Sequence, residues 1–256
     1  MGVYFLEMGT MQRVPRVIYD RAHSAFADLR PGMIDWKTAL AGVDWFHWSG
    51  ITPALTPGTA AACLEAVRAA RAMGLTVSAD PNYRASLWRW GSAPADVMPE
   101  MIAMCDVLIA SESDASLMFG IDDWQPPQTD EAGRFAALCA ALRDRFPNLR
   151  AIATTFRESR SASDNALSGA LWQAGTLYTG ARYDMTHIVD RVGGGDAFMA
   201  GLIYGLLLQS DAPQYALDFG LAAACLKHGI PGDFNIVSRD EIERLMAGDA
   251  AGRVSR

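Results

Sequence analysis

Residues 56–80 read TPGTAAACLEAVRAARAMGLTVSAD, and their reading decides the fold. Thr56 followed by Pro57 is a helix start: a hydroxyl that can cap the first turn, then a residue whose fixed φ suits the first helical position. Good helix formers carry the pattern to Met73, and Gly74 closes it. Residues 75–79 (LTVSA) then form a strand that ends at Asp80-Pro81-Asn82. Immediately upstream, residues 43–49 (VDWFHWS) form an aromatic-rich strand. Strand, helix and strand in close succession make a crossover unit whose two strands run parallel.

Working outward, the alternation continues. Helices are expected over 98–104, 114–119 (stopped by Gly120) and 131–146, with strands over 106–110 and 151–155. The last of these helices carries apolar residues at 135, 138, 139, 142 and 146, one face of a helix. The fold class is therefore α/β: a mainly parallel central sheet with helices on both faces. Residues 166–183 change period and read as an antiparallel hairpin turning at Ala174-Gly175. Two apolar helices over 196–209 and 214–228 and a polar one over 239–246 complete the chain. At the other end, 2–6 and 16–19 are short β-prone runs joined by a polar connection containing Gly9 and Pro15. No internal repeat or linker interrupts residues 1–256, so one compact domain is expected.

The composition is half hydrophobic and one-fifth charged, which excludes wholesale disorder. A net charge of −7 and a pI near 5.1 argue against a nucleic-acid partner, which needs a basic footprint. The longest uncharged apolar run, 197–208, is shorter than the roughly 18 residues of a membrane span, so no membrane partner is expected either. There is no secretory signal pattern, and the expected compartment is cytoplasmic. Cys63, Cys105, Cys139 and Cys225 lie in helical stretches without a CxxC pair, as buried reduced thiols do. His47 and His187 have no partner at metal-ligand spacing and read as structural. The tryptophans, five of them within the first 90 residues, read as packing and pocket lining, since no basic residues interleave with them.

Chemistry concentrates in residues 190–198, DRVGGGDAF. Three successive glycines allow unusual φ and close approach of a ligand to the main chain. The apolar helix that follows turns unpaired N–H groups and a positive dipole end toward that turn, an anion site suited to phosphate. Asp196, at the helix mouth, is placed to take a proton from an attacking hydroxyl. On spacing alone, a flexible turn with Asp196 as a helix N-cap explains the string equally well.

The string resembles the C-terminal signature of the ribokinase-like (PfkB-type) sugar kinases, DTxGAGDxF, with Arg191 in place of Thr and Gly194 in place of Ala. That resemblance implies an anion hole of Gly193, Gly194 and Gly195 for the transferring phosphoryl group, with Asp196 as general base. Further strings resemble the 2-keto-3-deoxygluconate kinase branch: GITPAL (50–55), DPNYR (80–84) with Leu87-Trp88, IPGDFN (230–235), Tyr19-Asp20-Arg21 and Gly2-Val3-Tyr4. They span nearly the whole chain. The implied reaction is ATP-dependent, magnesium-requiring phosphorylation of the terminal hydroxyl of 2-keto-3-deoxygluconate. Such a substrate carries a carboxylate, which a guanidinium recognises with two parallel hydrogen bonds. Arg84 follows a strand end, where ligands of open α/β sheets collect, although a surface salt bridge is the commoner fate of an arginine. The resemblance implies that Arg84 and Arg21 bind substrate, with Tyr4, Tyr19 and Asp233 contributing; packing for Tyr4 and a plain turn for Asp233 are the rival readings.

Ser111-Glu112-Ser113-Asp114 occupies the place of the family's Asn-x-x-Glu motif, with Ser for Asn and Asp for Glu. It implies a nucleotide contact at Ser111 and a magnesium contact through water at Asp114; helix N-capping by Ser111 or Ser113 is the alternative. Thr155 matches a strand-end position that lies near the nucleotide phosphates in family members. Members also carry, ahead of the Gly-Val-Tyr strand, a region supplying the first sheet strands, part of a β lid and a Gly-Gly-x-x-x-Asn motif. None of it occurs in this sequence, whose residues 1–25 are expected to form part of the lid. Strands otherwise central would become edges, so poor solubility or rescue as a homo-oligomer is expected, and an intact mass above 27.7 kDa if the start lies further upstream. Rival functions are a kinase for a neutral sugar such as fructose or ribose, and a non-catalytic sugar-acid-binding relic. A dehydrogenase is disfavoured because no GxGxxG follows a first strand.

Overall fold

The computed structural model describes residues 1–7, 9, 12–14, 16–121 and 124–248; Pro15 of the N-terminal connection lies outside them. The chain order is β1 (Val3–Glu7), β2 (Arg16–Asp20), α1 (Trp36–Ala39), β3 (Trp45–Ser49), α2 (Ile51–Leu55), α3 (Pro57–Ala72) and β4 (Thr76–Asp80). It continues through α4 (Pro94–Ile102), β5 (Val107–Ile109), α5 (Asp114–Phe119), α6 (Glu131–Arg145) and β6 (Ala151–Ser159). Then follow β7 (Asp164–Gln173), β8 (Thr176–Thr179), β9 (Tyr183–Thr186), α7 (Gly194–Leu208), α8 (Pro213–Lys227) and α9 (Arg239–Met246). β1 and β2 form a ribbon of their own, and the main sheet is ordered β3-β4-β5-β6-β7-β8 with β9 also on β7. By contacts the chain divides into two compact units, one of residues 1–5 and 17–154 and one of residues 6–16 and 155–256.

In the first unit, β3, β4, β5 and the start of β6 run parallel, with Trp48 opposite Ala79, Ala79 opposite Leu108 and Leu108 opposite Ile152. The quoted stretch folds as its residues require. Thr56 caps α3 in a reciprocal box with Thr59, and Gly74 takes the left-handed conformation (φ +77°) that ends it. Val67, Ala70, Val77 and Ala79 on this βαβ unit are fully buried. Phe135, Leu138, Cys139, Leu142 and Phe146 form the buried face of α6 and its end, as their spacing predicts. β3 is the terminal strand of the sheet.

The second unit is antiparallel in its strands. β7 pairs with β8 along its second half and with β9 along its first, and Ala174 and Gly175 make the hairpin turn, both at positive φ. Helices α7 and α8 pack together and bury Phe198, Leu202, Leu217 and Leu221.

Several boundaries differ from the sequence expectation. The helix expected over 98–104 begins at Pro94, whose ring presets the first turn, and ends at Ile102. The helix expected from 196 begins at Gly194. β6 runs on to Ser159 because its polar end is covered by ion pairs: Arg160 with Glu158 (3.2 Å) and Asp184 (3.3 Å), and Arg182 with Glu158 (2.7 Å). Charged letters that read as a loop are here a paired strand end. The short helices α1 and α2 and the strand β9 were not expected, being too short to show a period.

All four cysteines are free thiols, and burial pushes Cys63, Cys105 and Cys139 up to about 12 and Cys225 to about 11. His47 Nδ1 shares a hydrogen bond of 2.8 Å with Ser78 Oγ, a structural role; His187 meets Thr186 Oγ1 at 3.2 Å. No helix among the described residues is long and apolar enough to cross a membrane.

Candidate active site

The 190–198 string becomes a tightly held turn in the second unit. Gly193 is the N-cap of α7 with φ +79°, and a Cβ there would sit 2.1 Å from the Asp233 carbonyl oxygen. A Cβ on Gly194 would sit 2.7 Å from His228 Cε1. Packing therefore demands both glycines, and conformation demands Gly193 as well. Gly195 differs: a Cβ there meets nothing within 4 Å, so the space above the helix mouth is open. Gly194 N–H donates to Arg191 O (3.4 Å) and Ala197 N–H to Gly193 O (2.8 Å), while the N–H groups of Gly195 and Asp196 between them find no backbone acceptor among the described residues. Two donors without an acceptor among the described residues, an open space and the positive end of a helix of 15 residues are the features that an anion site needs.

Asp196 occupies the third position of α7, so it is not the N-cap that spacing alone allowed. It is exposed, and its carboxylate makes no hydrogen bond or ion pair among the described residues. A base must have its lone pairs available, and here they are.

Asp190, to which the sequence reading gave no role, holds the turn in place. It is 4 % exposed; Oδ1 accepts from Val192 N–H (2.9 Å) and Oδ2 from Gly232 N–H (2.9 Å). This ties the glycine turn to the 230–233 segment and brings Asp233 beside Gly193. Lys227, fully buried, donates to Ile230 O (3.1 Å); burial lowers its pKa against the opposing pull of Asp190 and Asp233. His228 is buried with Nδ1 2.6 Å from Ala224 O, so that nitrogen carries the proton and Nε2 is left without a partner. Burial is the main cause lowering its pKa, with Arg157, Lys227 and Arg191 adding to it. The signal for Asp190 was its place two residues before a backbone N–H that needs an acceptor, the position from which an Asp side chain closes a turn.

Of the residues expected to bind sugar, Asp233 lies in the second unit beside Gly193, and the other four lie in the first unit, in two groups. Tyr4 and Tyr19 face each other across the ribbon with ring centroids 6.2 Å apart, and the Arg21 guanidinium lies 4.0 Å above the Tyr19 ring. Arg84 follows β4. Its segment is fixed at the strand end by Gly50, whose N–H donates to Asp80 O (2.8 Å) and whose missing Cβ would stand 1.9 Å from Pro81 O. Arg84 itself is exposed and donates to Tyr83 O (2.9 Å); among the described residues it has no carboxylate partner, so the surface salt bridge is not formed.

Asp114 accepts from Ser111 N–H (2.8 Å) and Ser111 Oγ (2.6 Å), so the carboxylate caps the serine rather than the reverse. Ser113 is the N-cap of α5 but makes no capping hydrogen bond. Burial raises Asp114 while its two bonds from Ser111 lower it, with a net upward shift. Thr155 is not at a strand end, since β6 continues four residues beyond it.

The family model described as pfkB family carbohydrate kinase matches residues 2–143, more than half of the sequence. The chain belongs to the pfkB family of carbohydrate kinases. As a member it transfers a phosphoryl group to a carbohydrate hydroxyl, and ATP use follows from the family. This kinase is 33% identical over 254 residues to a 2-dehydro-3-deoxygalactonokinase of Haloferax volcanii, covering 98% of the chain and 72% of that relative. It is 29% identical over 191 residues to a fructokinase of Klebsiella pneumoniae, covering 73% of the chain and 54% of that relative. A crystal structure of 2-dehydro-3-deoxygluconokinase from Thermotoga maritima superposes with a TM-score of 0.87 at 40% identity, over 97% of this kinase and 73% of that chain.

Proposed function

We propose that this kinase transfers the γ-phosphoryl group of ATP to the terminal hydroxyl of a 2-keto-3-deoxy sugar acid, 2-keto-3-deoxygluconate. The observation that carries the reading is the Gly193–Asp196 turn, with two N–H groups and a carboxylate that have no partner among the described residues at one helix mouth. Asp196 accepts the hydroxyl proton as the oxygen bonds to the γ-phosphorus, and the bond to the bridging oxygen breaks with release of ADP. The Gly193, Gly194 and Gly195 backbone stabilises the charge that spreads over the phosphoryl oxygens. Arg84 and Arg21 hold the substrate carboxylate, with Tyr4, Tyr19 and Asp233 shaping the rest of the sugar site. Ser111 and Thr155 contact the nucleotide.

Asp114 would hold a magnesium ion through water, since its carboxylate is already engaged by Ser111 and has little freedom to bind directly. When bound, magnesium neutralises phosphate charge. Among the described residues no cluster of three or more His, Cys, Asp or Glu could hold a metal ion, which favours an ion carried mainly by the nucleotide. Residues 1–256 work as a single ribokinase-like kinase domain in this reading, residues 1–25 serve as part of the β lid, and the enzyme is a cytoplasmic homo-oligomer.

Incubation with ATP, magnesium and 2-keto-3-deoxygluconate tests the reaction. Phosphorus NMR of the product should show one new phosphate coupled to two methylene protons, the mark of the terminal carbon. Release of inorganic phosphate without a sugar phosphate would reject it.

A further inference from the structure

A second feature of the signature string, Arg191, is not absorbed by the mechanism. Its Nη2 donates to three acceptors, Asn165 Oδ1, Ser161 O (3.3 Å) and Ser159 Oγ (3.4 Å), and all three are neutral. Its Nε is buried without a partner among the described residues, as is Nδ2 of Asn165, a residue with no exposed surface. A guanidinium drawn into the protein and offered no carboxylate is an expensive arrangement. Neighbouring Arg157 is lowered by desolvation first and by the Arg191 charge second, so the two cations repel one another.

Arg191 lines a cavity of about 340 Å³ together with Gln12, Arg13, Ser159, Arg160 and Ser161. No carboxylate is among the described residues that line it, in a chain of net charge −7. The three arginines are not equivalent. Arg160 is neutralised by Glu158, Asp164 and Asp184, and Arg13 meets exposed Glu7 at 3.4 Å. Only Arg191 among these three has its charge left over. The missing countercharge is what a bound anion would supply. Three guanidinium forks and two hydroxyls suit an anion with many oxygens, and the volume exceeds what a lone carboxylate needs.

We propose that this cavity is a binding site for a phosphate-class polyanion, with Arg191, positioned by Asn165, as its principal ligand and Arg13 as a second. That the polyanion is the phosphate chain of the donor nucleotide rests on the kinase reading above; the anion site itself does not.

The test is calorimetric titration of the whole chain with sodium tripolyphosphate, for the natural protein and for Arg191→Thr, Arg191→Lys and Arg13→Gln. Arg191→Thr should weaken binding roughly tenfold to a hundredfold, the size of a lost charge-assisted contact. Arg191→Lys should recover part of the loss, because the charge returns without the fork. Arg13 is exposed and its removal leaves the fold intact, so Arg13→Gln should weaken binding severalfold with an unchanged melting temperature. Equal affinities in Arg191→Thr and Arg13→Gln, or no binding by the natural protein, would overturn the proposal. If Arg191→Thr does not fold, Arg13→Gln decides alone. Competition with ATP distinguishes the sources: mutual exclusion identifies the nucleotide's own phosphates, and simultaneous binding a free polyphosphate. If no sugar is phosphorylated while Arg191-dependent binding persists, the kinase reading fails and the site stands; turnover with unchanged tripolyphosphate binding reverses that outcome.

Discussion

Around the Gly193–Asp196 turn the scaffold's polar groups are committed inside the protein: Asp190 to two backbone N–H groups, Lys227 to a carbonyl, Gly193 and Gly194 to contacts that leave no room for a methyl group. Arg84 is the opposite case, exposed and bonded only to the carbonyl of its neighbour among the described residues. The first region is fixed before any ligand arrives. The second can adjust to one. A site that stabilises charge in a transition state gains from groups that need no rearrangement, whereas a group that recognises a substrate can spend binding energy on settling into place. Within the first region, the N–H groups of Gly195 and Asp196 and the Asp196 carboxylate are left uncommitted among the described residues, as a part that meets a ligand would be.

This contrast can be broken at either end. The largest effect is expected at Asp196→Asn, which should lower kcat by roughly a hundredfold to ten-thousandfold, the span of general-base contributions, with substrate affinities changed by only a few-fold. Steady-state kinetics over a range of sugar-acid concentrations would show it. Next comes Gly193→Ala: a left-handed φ and a 2.1 Å approach to Asp233 O should cost about 2–4 kcal/mol, read from chemical denaturation. A cost under about 1 kcal/mol would mean that the turn is not held as described. Arg84→Gln should raise KM for the sugar acid roughly tenfold to a hundredfold and leave kcat nearly unchanged, since the contact is equal in ground and transition states. An equal loss in kcat would move Arg84 into the chemistry.

The smallest effect concerns pH. His228 is held neutral in the fold by burial and by the positive charges of Arg157, Lys227 and Arg191, so its folded pKa lies below the ordinary 6.5. Below pH 6.5 the unfolded chain takes up a proton that the fold refuses. Its contribution to stability is therefore complete above that pH and lost as pH falls. The melting temperature should drop between pH 7.5 and 5.5, and His228→Gln should remove about 2–4 °C of that drop. An unaltered slope would show that His228 is protonated in the fold.

How much of this was legible in the sequence follows the same divide. The βαβ pattern of 43–80 is a local signal and appears as read, including the capped start of α3 and the left-handed Gly74, and the glycine string does mark a helix start, two residues earlier than expected. The polar end of β6 was not legible, because its four-residue extension depends on ion pairs with Arg182 and Asp184, about 25 positions downstream. Nor was the orientation at Ser111-Asp114, where two residues could each cap the other and only the folded backbone decides. Arg191 was visible as a departure from the family string, but its neutral cage of Asn165, Ser159 and Ser161 exists only once β6 and β7 pair.

The most direct test of the central claim is the rate of ADP formation by the natural protein with 2-keto-3-deoxygluconate and with fructose, each over a full concentration range. A sugar-acid kinase with Arg84 as carboxylate ligand predicts kcat/KM at least about tenfold higher for the sugar acid, the size of one charge-assisted contact. Equal values, or a preference for fructose, would contradict it.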